Sequence, residues 1–456
     1  MIAPATYADA VAALQARGRF GIRLGLGRTR ALLRELGSPE LGIRGALVGG
    51  TNGKGSVVAL VSSCLAATGH RAGAAPKPHL VTYRERLRVG GRLIAAASFA
   101  DLVGELLPVA ERVARRHGPP TEFELMTALV FTWFAREAVD LAVVEVGLGG
   151  RLDATHAWDG GVAAVTNVDL DHTEWLGTTV VAIAREEAAI IVRGDRAVTG
   201  ASGEALPIVR RRARRVGATL VEAAPAPVRA MDLDGLVVDL PGLAATRVGL
   251  LGRHQAANVA VADAVLDALG AAGIAVVSPA ARRAGYAAAR WPGRLELVAL
   301  PGAGPGGSDA EILLDGAHNP AGAAALAAAL DELRPLLRGG GGPRPAPATL
   351  ILGIMADKDV EGVLGPLAAA PSLAGVRVVA TQVQGPRALP ALDLAARWAR
   401  IAGARSGPVT VVAEPAAAVA EAAVRAEGPV VVAGSLYLVG AVRALVVDDP
   451  DLRDPA

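Results

Sequence analysis

A glycine-rich turn between an apolar run and a helix-like run is the feature of this chain that most restricts its fold. The turn, Gly49–Ser56 (GGTNGKGS), follows the apolar run Ala46–Val48 and precedes Val57–Ala67. Between a buried strand and a helix, the backbone N–H groups of such a turn and the positive end of the helix dipole form a phosphate cradle. The lysine then reaches the outer phosphates, and the serine hydroxyl can hold Mg²⁺. An ordinary strand-to-helix turn is the alternative, because an extra glycine separates Lys54 from Ser56. The residues expected to bind nucleotide phosphate are Gly50, Thr51, Asn52, Gly53, Lys54, Gly55 and Ser56.

Length and charge exclude several other classes of protein. A chain of 456 residues is too long for one ordinary core and predicts two or three domains. The 46 basic and 44 acidic residues nearly balance, so we expect no nucleic-acid partner. The single cysteine, Cys64, cannot form an internal disulfide, which favours a reducing compartment. No apolar run reaches the ~18–20 residues of a membrane span, so we expect a cytoplasmic protein with no membrane partner. We also expect a monomer.

Short apolar runs alternate with longer helix-like runs along most of the chain. This alternation predicts an α/β protein built from βαβ units with a mostly parallel sheet, whose ligands lie at the carboxyl ends of the strands. The turn-like segment Trp291–Arg294 and the loop-like segment Pro301–Gly307 suggest a domain boundary. We therefore predict an ATP-binding domain over residues 1–296 and a second α/β domain over residues 297–456. The strands predicted most clearly are Gly45–Val48, Leu141–Val146, Val162–Thr166, Ile312–Leu314, Thr349–Leu352, Val376–Ala380, Val409–Val412 and Pro429–Ala433.

Two polar side chains at strand ends are candidates for metal binding. Glu145 stands late in a buried strand, where a carboxylate is costly unless it is paired or binds a metal. His172 follows another strand end. With Ser56 at a neighbouring strand end, these residues suggest a magnesium site. An arginine pair for Glu145 and an ordinary buried imidazole for His172 are the alternatives.

Polar residues in the second half of the chain suggest contacts to a nucleotide across a domain cleft. Asp315 and Asn319 follow the strand that ends at Leu314, and Asn319 is also suited to cap a helix that has Pro320 at its first position. Asn258 lies at the start of an Ala-rich helix and could contact an adenine edge. Arg294 could stabilise transferring phosphoryl charge, although a solvent-facing arginine is the alternative.

These segments together resemble the folylpolyglutamate synthase and dihydrofolate synthase family, within the Mur ligase superfamily. The resemblance covers nearly the whole chain and rests on several ordered motifs. The motifs are Phe20–Leu26, Gly50–Ser56, Pro78–Leu80, Glu145–Asp153, Asp169–His172, Trp291–Arg294, Asp315–Pro320, Asp357–Asp359 and Gly434–Leu438.

The resemblance implies an ATP-dependent, ADP-forming amide ligase with a Mur-ligase-like P-loop domain and a Rossmann-like C-terminal domain. Its substrates would be ATP, L-glutamate and a pterin-benzoate or folate acid, and it would require Mg²⁺. The acid would be activated as an acyl phosphate. By the family pattern, the catalytic residues would be Lys54, His318 and Glu187. The ATP ligands would be the loop residues with Asn258, Arg294 and Asp315. The metal ligands would be Ser56, Glu145 and His172, and the substrate-binding residues Arg151, Asp153, His318 and Asn319.

The chain departs from the family pattern at two metal-binding positions. Lys77 stands where the family has a magnesium-binding serine, and Glu187 stands where it has a carbamylated lysine that holds a second magnesium. Glu187 is shorter by three bonds, roughly 3–4 Å of reach. An ammonium about 4 Å from a dication would cost roughly 8 kcal/mol at an effective dielectric constant near 20. We therefore hypothesise a Lys77–Glu187 ion pair across the former two-metal site.

These departures leave two alternative functions open. One is a ligase of the same mechanism for another acid or amine, which the charged Arg84 would also favour, since the family often has an uncharged polar residue there. The other is a non-catalytic ATP-binding homologue. The sequence does not distinguish dihydropteroate from folate.

Overall fold

The computed structural model describes residues 4–18, 21, 23–342, 345–383, 385 and 387–454. Phe20 and Ile22 of the first family motif lie outside these residues. The described residues form α-helices and strands in alternation, as the sequence predicts. The helices are α1 (Tyr7–Gly18), α2 (Gly27–Glu35), α3 (Lys54–Ala67), α4 (Ala96–His117), α5 (Glu122–Arg136), α6 (Thr173–Leu176), α7 (Val180–Glu187), α8 (Ala205–Val216), α9 (Gln255–Ala271), α10 (Pro279–Ala288), α11 (Pro320–Leu333), α12 (Val360–Ala369), α13 (Ala391–Ala402), α14 (Pro415–Val424) and α15 (Leu436–Val446).

An eight-stranded sheet forms the centre of the N-terminal part. Its strands are β1 (Gly45–Gly49), β2 (Ala72–Ala75), β3 (Arg88–Val89), β4 (Arg92–Leu93), β5 (Leu141–Glu145), β6 (Gly161–Val165), β7 (Arg196–Thr199) and β8 (Thr219–Glu222). The spatial order is β4-β3-β2-β5-β1-β6-β7-β8. The strands from β2 to β8 in this order are parallel, whereas β3 and β4 form an antiparallel edge.

Strand β1 shows why the central strands are apolar without alternation. All five of its residues are buried. Leu47 packs into the apolar cluster on one face of the sheet, and Ala46 and Val48 pack into the cluster on the other. A parallel sheet covered by helices on both faces requires this double burial. The carboxyl ends of β2, β5, β1 and β6 consequently meet at one edge of the sheet, where the glycine-rich loop begins.

Two further sheets follow along the chain. A small antiparallel sheet contains β9 (Val228–Asp232), β10 (Gly235–Leu240) and β11 (Leu243–Val248). A six-stranded sheet contains β12 (Glu296–Leu300), β13 (Ala310–Leu314), β14 (Thr349–Leu352), β15 (Arg377–Ala380), β16 (Val409–Val411) and β17 (Val430–Ala433).

The six-stranded sheet has the order β12-β13-β17-β14-β15-β16, and only its edge strand β12 is antiparallel. Separate apolar clusters cover its two faces. The prediction of an α/β fold with mostly parallel sheets is confirmed. Among the described residues, no helix combines the length and the apolar character needed to cross a membrane.

Candidate active site

The glycine-rich loop joins β1 to α3, and the helix begins at Lys54, one turn earlier than the apolar run suggested. The Lys54 ammonium donates hydrogen bonds to the carbonyl oxygens of Gly50 and Thr51, at 2.6 and 3.0 Å. The side chain therefore turns back over the loop. This places a positive charge beside the backbone amides at the start of α3, the arrangement that binds phosphate in other proteins.

The end of β6 holds the loop in shape. Asn167 accepts from the Thr51 amide through its backbone oxygen, at 2.9 Å, and from the Asn52 amide through its side-chain oxygen, at 2.7 Å. The Thr166 hydroxyl donates to the Asn52 carbonyl oxygen at 2.6 Å. Nothing in the sequence singled out Asn167 as a support of the loop. The one signal that could have identified Asn167 is its position in a polar run directly after an apolar strand.

Two side chains from the region between the antiparallel sheet and the six-stranded sheet pack directly against the loop glycines. Gly53 has a φ of 83°, and a Cβ there would lie 2.1 Å from Asn258 Oδ1. A Cβ on Gly55 would lie 2.6 Å from Cζ2 of Trp291. Glycine is therefore required at both positions by close approach, and at Gly53 also by the left-handed backbone. The predicted nucleotide-binding residue Asn258 is thereby brought to the loop.

Glu145 lies beside the loop because β5 is the parallel neighbour of β1. Val48 is paired with Glu145 in the sheet register. The Glu145 side chain is buried, and its Oε2 accepts a hydrogen bond of 2.7 Å from the Lys77 amide at the end of β2. Burial raises the pKa of this carboxyl, while the charge of Lys54 opposes the shift. A buried carboxylate at a strand end is suited to bind a cation.

The residues present fit one magnesium ion bound together with phosphate. Ser56 is buried in the first turn of α3, and Glu145 ends the adjacent strand. No cluster of three or more His, Cys, Asp or Glu side chains that could hold a metal occurs in the part of the chain that the structure describes. Mg²⁺ usually takes one or two protein carboxylates and completes its shell with phosphate oxygens and water, so the Ser56 hydroxyl and the Glu145 carboxylate are ligands of the kind it binds.

His172, the third predicted metal ligand, adopts a left-handed backbone conformation with a φ of 49°. Burial lowers the pKa of its imidazole to about 4, although the Asp171 carboxylate opposes the shift. The ring is therefore neutral at pH 7, which is the protonation state that binds metals.

The hypothesis of a Lys77–Glu187 ion pair is wrong. The Lys77 ammonium is buried without a hydrogen-bond partner among the described residues, and it lies 4.4 Å from the centroid of the Phe123 ring. Burial lowers the pKa of Lys77 to about 8, against the charges of Asp153 and Glu145. Glu187 instead accepts a hydrogen bond of 2.8 Å from the Gly50 amide.

A second magnesium ion does not fit these residues. The Lys77 position offers a cation where the family pattern has a metal ligand. The Glu187 carboxylate is buried against the start of the loop, and burial raises its pKa. One of its oxygens is already engaged by Gly50.

Asp171 links the two halves of the chain. Its carboxylate accepts hydrogen bonds from Lys358 Nζ at 2.8 Å and from Asn319 Nδ2 at 3.0 Å. His318 Nε2 lies 3.6 Å from the same carboxylate, and Asn319 Nδ2 also donates to Asn52 Oδ1 at 3.1 Å. Burial alone would raise the pKa of Asp171, but His318, Lys358 and His172 together lower it. The predicted residues His318 and Asn319 thus lie opposite the phosphate loop, whereas Asp171 and Lys358 were given no role from the sequence.

The residues that follow strand β13 of the six-stranded sheet have structural partners as well. Asn319 caps α11 by accepting from the Gly322 amide at 2.7 Å, so the capping and the interdomain contact occur together. Asp315 accepts from the amides of Leu295 and Ala317, at 3.0 and 2.9 Å. Asp315 and Glu145 are the carboxylates that act on Arg294, whose pKa is lowered by burial. Arg294 is therefore not a freely solvated arginine.

The two other predicted substrate residues follow β5 and lie in different surroundings. Arg151 is 61% exposed and forms an ion pair of 2.9 Å with Glu186. The Asp153 carboxylate is buried and accepts from the amides of Gly147 and Leu148, at 3.1 and 3.0 Å. Asp153 therefore holds the turn that carries Arg151.

Comparison with known protein families gives one match to part of the chain. The family model described as "Dihydrofolate synthetase, C-terminal domain" matches residues 304–445. Among curated proteins, the dihydrofolate synthase/folylpolyglutamate synthase of Bacillus subtilis is 36% identical over 336 residues, which are 72% of this chain and 76% of that protein.

Solved structures resemble the chain over almost its whole length. The Mycobacterium tuberculosis folylpolyglutamate synthase complexed with ADP and AMPPCP has a TM-score of 0.83 and 31% identity, covering 97% of this chain and 100% of the other. Escherichia coli FolC in complex with DHPP and ADP has a TM-score of 0.80 and 29% identity, covering 98% of this chain and 99% of the other. The similarity therefore includes the glycine-rich loop as well as the six-stranded sheet.

Proposed function

The chain belongs to the dihydrofolate synthase/folylpolyglutamate synthase family, and on this premise we propose that it joins L-glutamate to dihydropteroate or a folate while ATP is converted to ADP and inorganic phosphate. The observation that carries the proposal is the loop Gly50–Ser56. It has a lysine and helix amides on one side, a buried Glu145 at the adjacent strand end, and Asp171 with its interdomain partners opposite. The E. coli complex with DHPP and ADP supports this substrate class.

The reaction couples two transfers. The carboxylate of the acid attacks the γ-phosphorus of ATP, and the bond to the bridging oxygen breaks, so that ADP leaves and an acyl phosphate remains. The amine of glutamate then attacks the acyl carbon, which releases inorganic phosphate and a proton and forms the amide. Catalysis of such transfers is mostly positioning and neutralisation of charge. Lys54 and the loop amides would bind the phosphates, with Arg294 near the transferring group and Asn258 and Asp315 at the nucleotide.

Ser56, Glu145 and His172 are the residues that would hold magnesium. When bound, Mg²⁺ neutralises phosphate charge and orients the phosphate oxygens. The neutral imidazole of His172 and the buried carboxylate of Glu145 support these assignments.

His318 and Asn319 would bind substrate from the C-terminal side. Both lie at the N-terminus of α11 and contact Asp171, so a ligand there would meet the amides of the helix start as well. Arg151 would contact substrate from the exposed turn after β5, positioned by Asp153. We also propose that the chain divides into domains 1–296 and 297–456. The six-stranded sheet supports a division close to this boundary, since its first strand, β12, begins at Glu296.

A monomer in the cytoplasm remains part of the proposal. The cytoplasmic part is supported by the single thiol, Cys64, which is buried and whose pKa burial raises to about 12. Arg84, which would have favoured a different acid substrate, has a structural role. Its guanidinium donates to the carbonyl oxygen of Arg453 at 3.2 Å and lies 3.6 Å from Asp454, so it holds the C-terminal segment.

Release of ADP by the purified protein tests the proposal. With ATP, Mg²⁺ and either dihydropteroate or a folate, we expect ADP release that depends on added L-glutamate. Lys54→Met serves as the inactive control. Tight ATP binding without turnover on either acid would contradict the proposed reaction, and turnover only with unrelated acids would contradict the substrate class.

A further inference from the structure

Lys77 carries a buried charge that the protein itself does not pair. Its ammonium has no hydrogen-bond partner among the described residues, and none of their carboxylates forms an ion pair with it within 4.0 Å. The charges of Asp153 and Glu145 act on it, but backbone N–H groups already bind Oδ2 of Asp153 and Oε2 of Glu145. A buried cation of this kind gains most when an anionic ligand reaches it.

The position of Lys77 puts this charge at the edge of the sheet where the nucleotide site lies. Lys77 follows β2, the parallel neighbour of β5, and its amide donates to the Glu145 carboxylate. Its side chain extends over Phe123 at the start of α5. A Cβ on Gly147 would lie 2.6 Å from Phe123 Cζ and 2.9 Å from Asp153 Oδ2, so the ring, the turn after β5 and the ammonium form one wall.

We infer that the Lys77 ammonium replaces a second divalent cation by binding an oxyanion of the reaction, either a γ-phosphate oxygen of ATP or the carboxylate of the acid. The site would then need one Mg²⁺, which Ser56, Glu145 and His172 would hold. The inference rests on the proposed function, because that function supplies the two oxyanions. Glu187 is consistent with it, since the hydrogen bond to Gly50 makes this carboxylate a support of the loop.

The number of bound metal ions tests the first part of the inference without turnover. Mn²⁺ replaces Mg²⁺, and its binding to the full chain with saturating AMPPCP is counted by electron paramagnetic resonance of the free ion. We expect one Mn²⁺ for each AMPPCP bound. Two Mn²⁺ ions per AMPPCP in the wild-type protein would overturn the inference.

Two variants at Lys77 test the oxyanion contact. Lys77→Met keeps most of the length of the side chain but removes the charge, whereas Lys77→Arg retains a charge. Titration calorimetry in the presence of Mg²⁺ measures three affinities: for AMPPCP, for ADP, and for dihydropteroate when ADP is already bound. We expect Lys77→Met to lower the affinity for one anionic ligand by about 10- to 100-fold, which is the usual effect of losing a hydrogen bond to a charged group. Lys77→Arg should recover most of that affinity.

The ligands separate the two sources of the oxyanion. If Lys77→Met binds AMPPCP more weakly but ADP with unchanged affinity, the oxyanion is the γ-phosphate. If the variant binds dihydropteroate more weakly, the oxyanion is the carboxylate. Either result supports the inference. Unchanged affinity for all three ligands in Lys77→Met would overturn it, because packing on Phe123 alone would then explain the lysine. If Lys77→Met does not fold, as judged by circular dichroism, the metal count of the wild type still decides.

Failure of this inference differs from failure of the proposed function. A wild-type protein that releases ADP with dihydropteroate and glutamate, yet binds two Mn²⁺ ions, refutes only the role of Lys77. A protein that shows no turnover refutes the function and leaves the binding measurements to be judged separately.

Discussion

Replacing Asp171 by asparagine should weaken the contact between the two halves of the protein. The Asp171 side chain is 10% exposed and its partner Lys358 is 16% exposed, with 2.8 Å between carboxylate and ammonium. Asparagine has the same shape but no charge, so the buried ammonium would lose its counter-ion. A hydrogen bond between charged groups is worth about 1.5–3 kcal/mol, and we expect the free energy of unfolding to fall by about 2 kcal/mol.

A second ion pair between the same two halves provides a matched control. Arg253 and Glu332 are 2.6 Å apart, but their side chains are 54% and 37% exposed. Exposed pairs contribute about 0–1 kcal/mol because water and salt screen them. Glu332→Gln should therefore cost less than half as much as Asp171→Asn.

Double-mutant cycles measured by urea unfolding separate the pairs from other effects of each substitution. The cycles combine Asp171→Asn with Lys358→Met, and Glu332→Gln with Arg253→Met. We expect a coupling energy of about 1.5–3 kcal/mol for the first and below about 1 kcal/mol for the second. Equal coupling energies in the two cycles would refute the conclusion that burial makes the Asp171–Lys358 pair the stronger of the two.

Three further changes have defined outcomes. Lys54→Met should weaken AMPPCP binding by about 10- to 100-fold in calorimetry, because a charged donor to phosphate is lost. Gly53→Ala should weaken AMPPCP binding and lower the melting temperature, because its Cβ would lie 2.1 Å from Asn258 Oδ1 on a backbone with a φ of 83°. Acid should destabilise the fold through His79, whose Nδ1 accepts from Arg86 Nε at 2.8 Å and whose pKa burial lowers to about 3. The unfolded chain binds this proton more readily, so the stabilisation is complete above pH 6.5 and falls by about 2 kcal/mol at pH 5 in urea unfolding.

Controls isolate the cause in each case. Lys54→Arg should retain part of the affinity, and equal AMPPCP binding by Lys54→Met and wild type would contradict the role of the charge. Gly242→Ala shares a left-handed backbone, with a φ of 68°, but its Cβ meets no atom within 4 Å, so it should leave AMPPCP binding unchanged. His79→Gln keeps a hydrogen-bond acceptor without the proton equilibrium. If this variant loses as much stability between pH 7.5 and pH 5 as the wild type, His79 is not the cause.

The sequence predicted β1, β5 and β6 of the eight-stranded sheet and β13 to β17 of the six-stranded sheet, but missed β2 to β4 and β7 to β12. β1 and β5 were expected from their valine and leucine content. β2, with the sequence AGAA, is fully buried yet has no β-forming side chain, and only pairing with β5 makes it a strand. The antiparallel sheet was also missed, although Pro241-Gly242, which joins β10 to β11, is a strong turn signal.

At the site, local chemistry was predictable and long-range partners were not. Asn319 was expected both as a helix cap and as an interdomain residue, and its contacts include both. The link between Asp171 and Lys358 joins residues 187 positions apart, and no pattern near either residue indicates the other. The Lys77–Glu187 pair failed for the same reason, since charge complementarity in a sequence does not show that the amide of Gly50 reaches Glu187 first.

Transfer of oxygen from the acid to phosphate tests most directly whether the loop site activates a carboxylate. Dihydropteroate labelled with ¹⁸O in its carboxylate is converted with ATP and L-glutamate, and the inorganic phosphate is analysed by mass spectrometry. An acyl phosphate intermediate requires that each phosphate released carry one oxygen from the labelled carboxylate. Amide product formed alongside unlabelled phosphate would contradict activation of the acid by phosphoryl transfer.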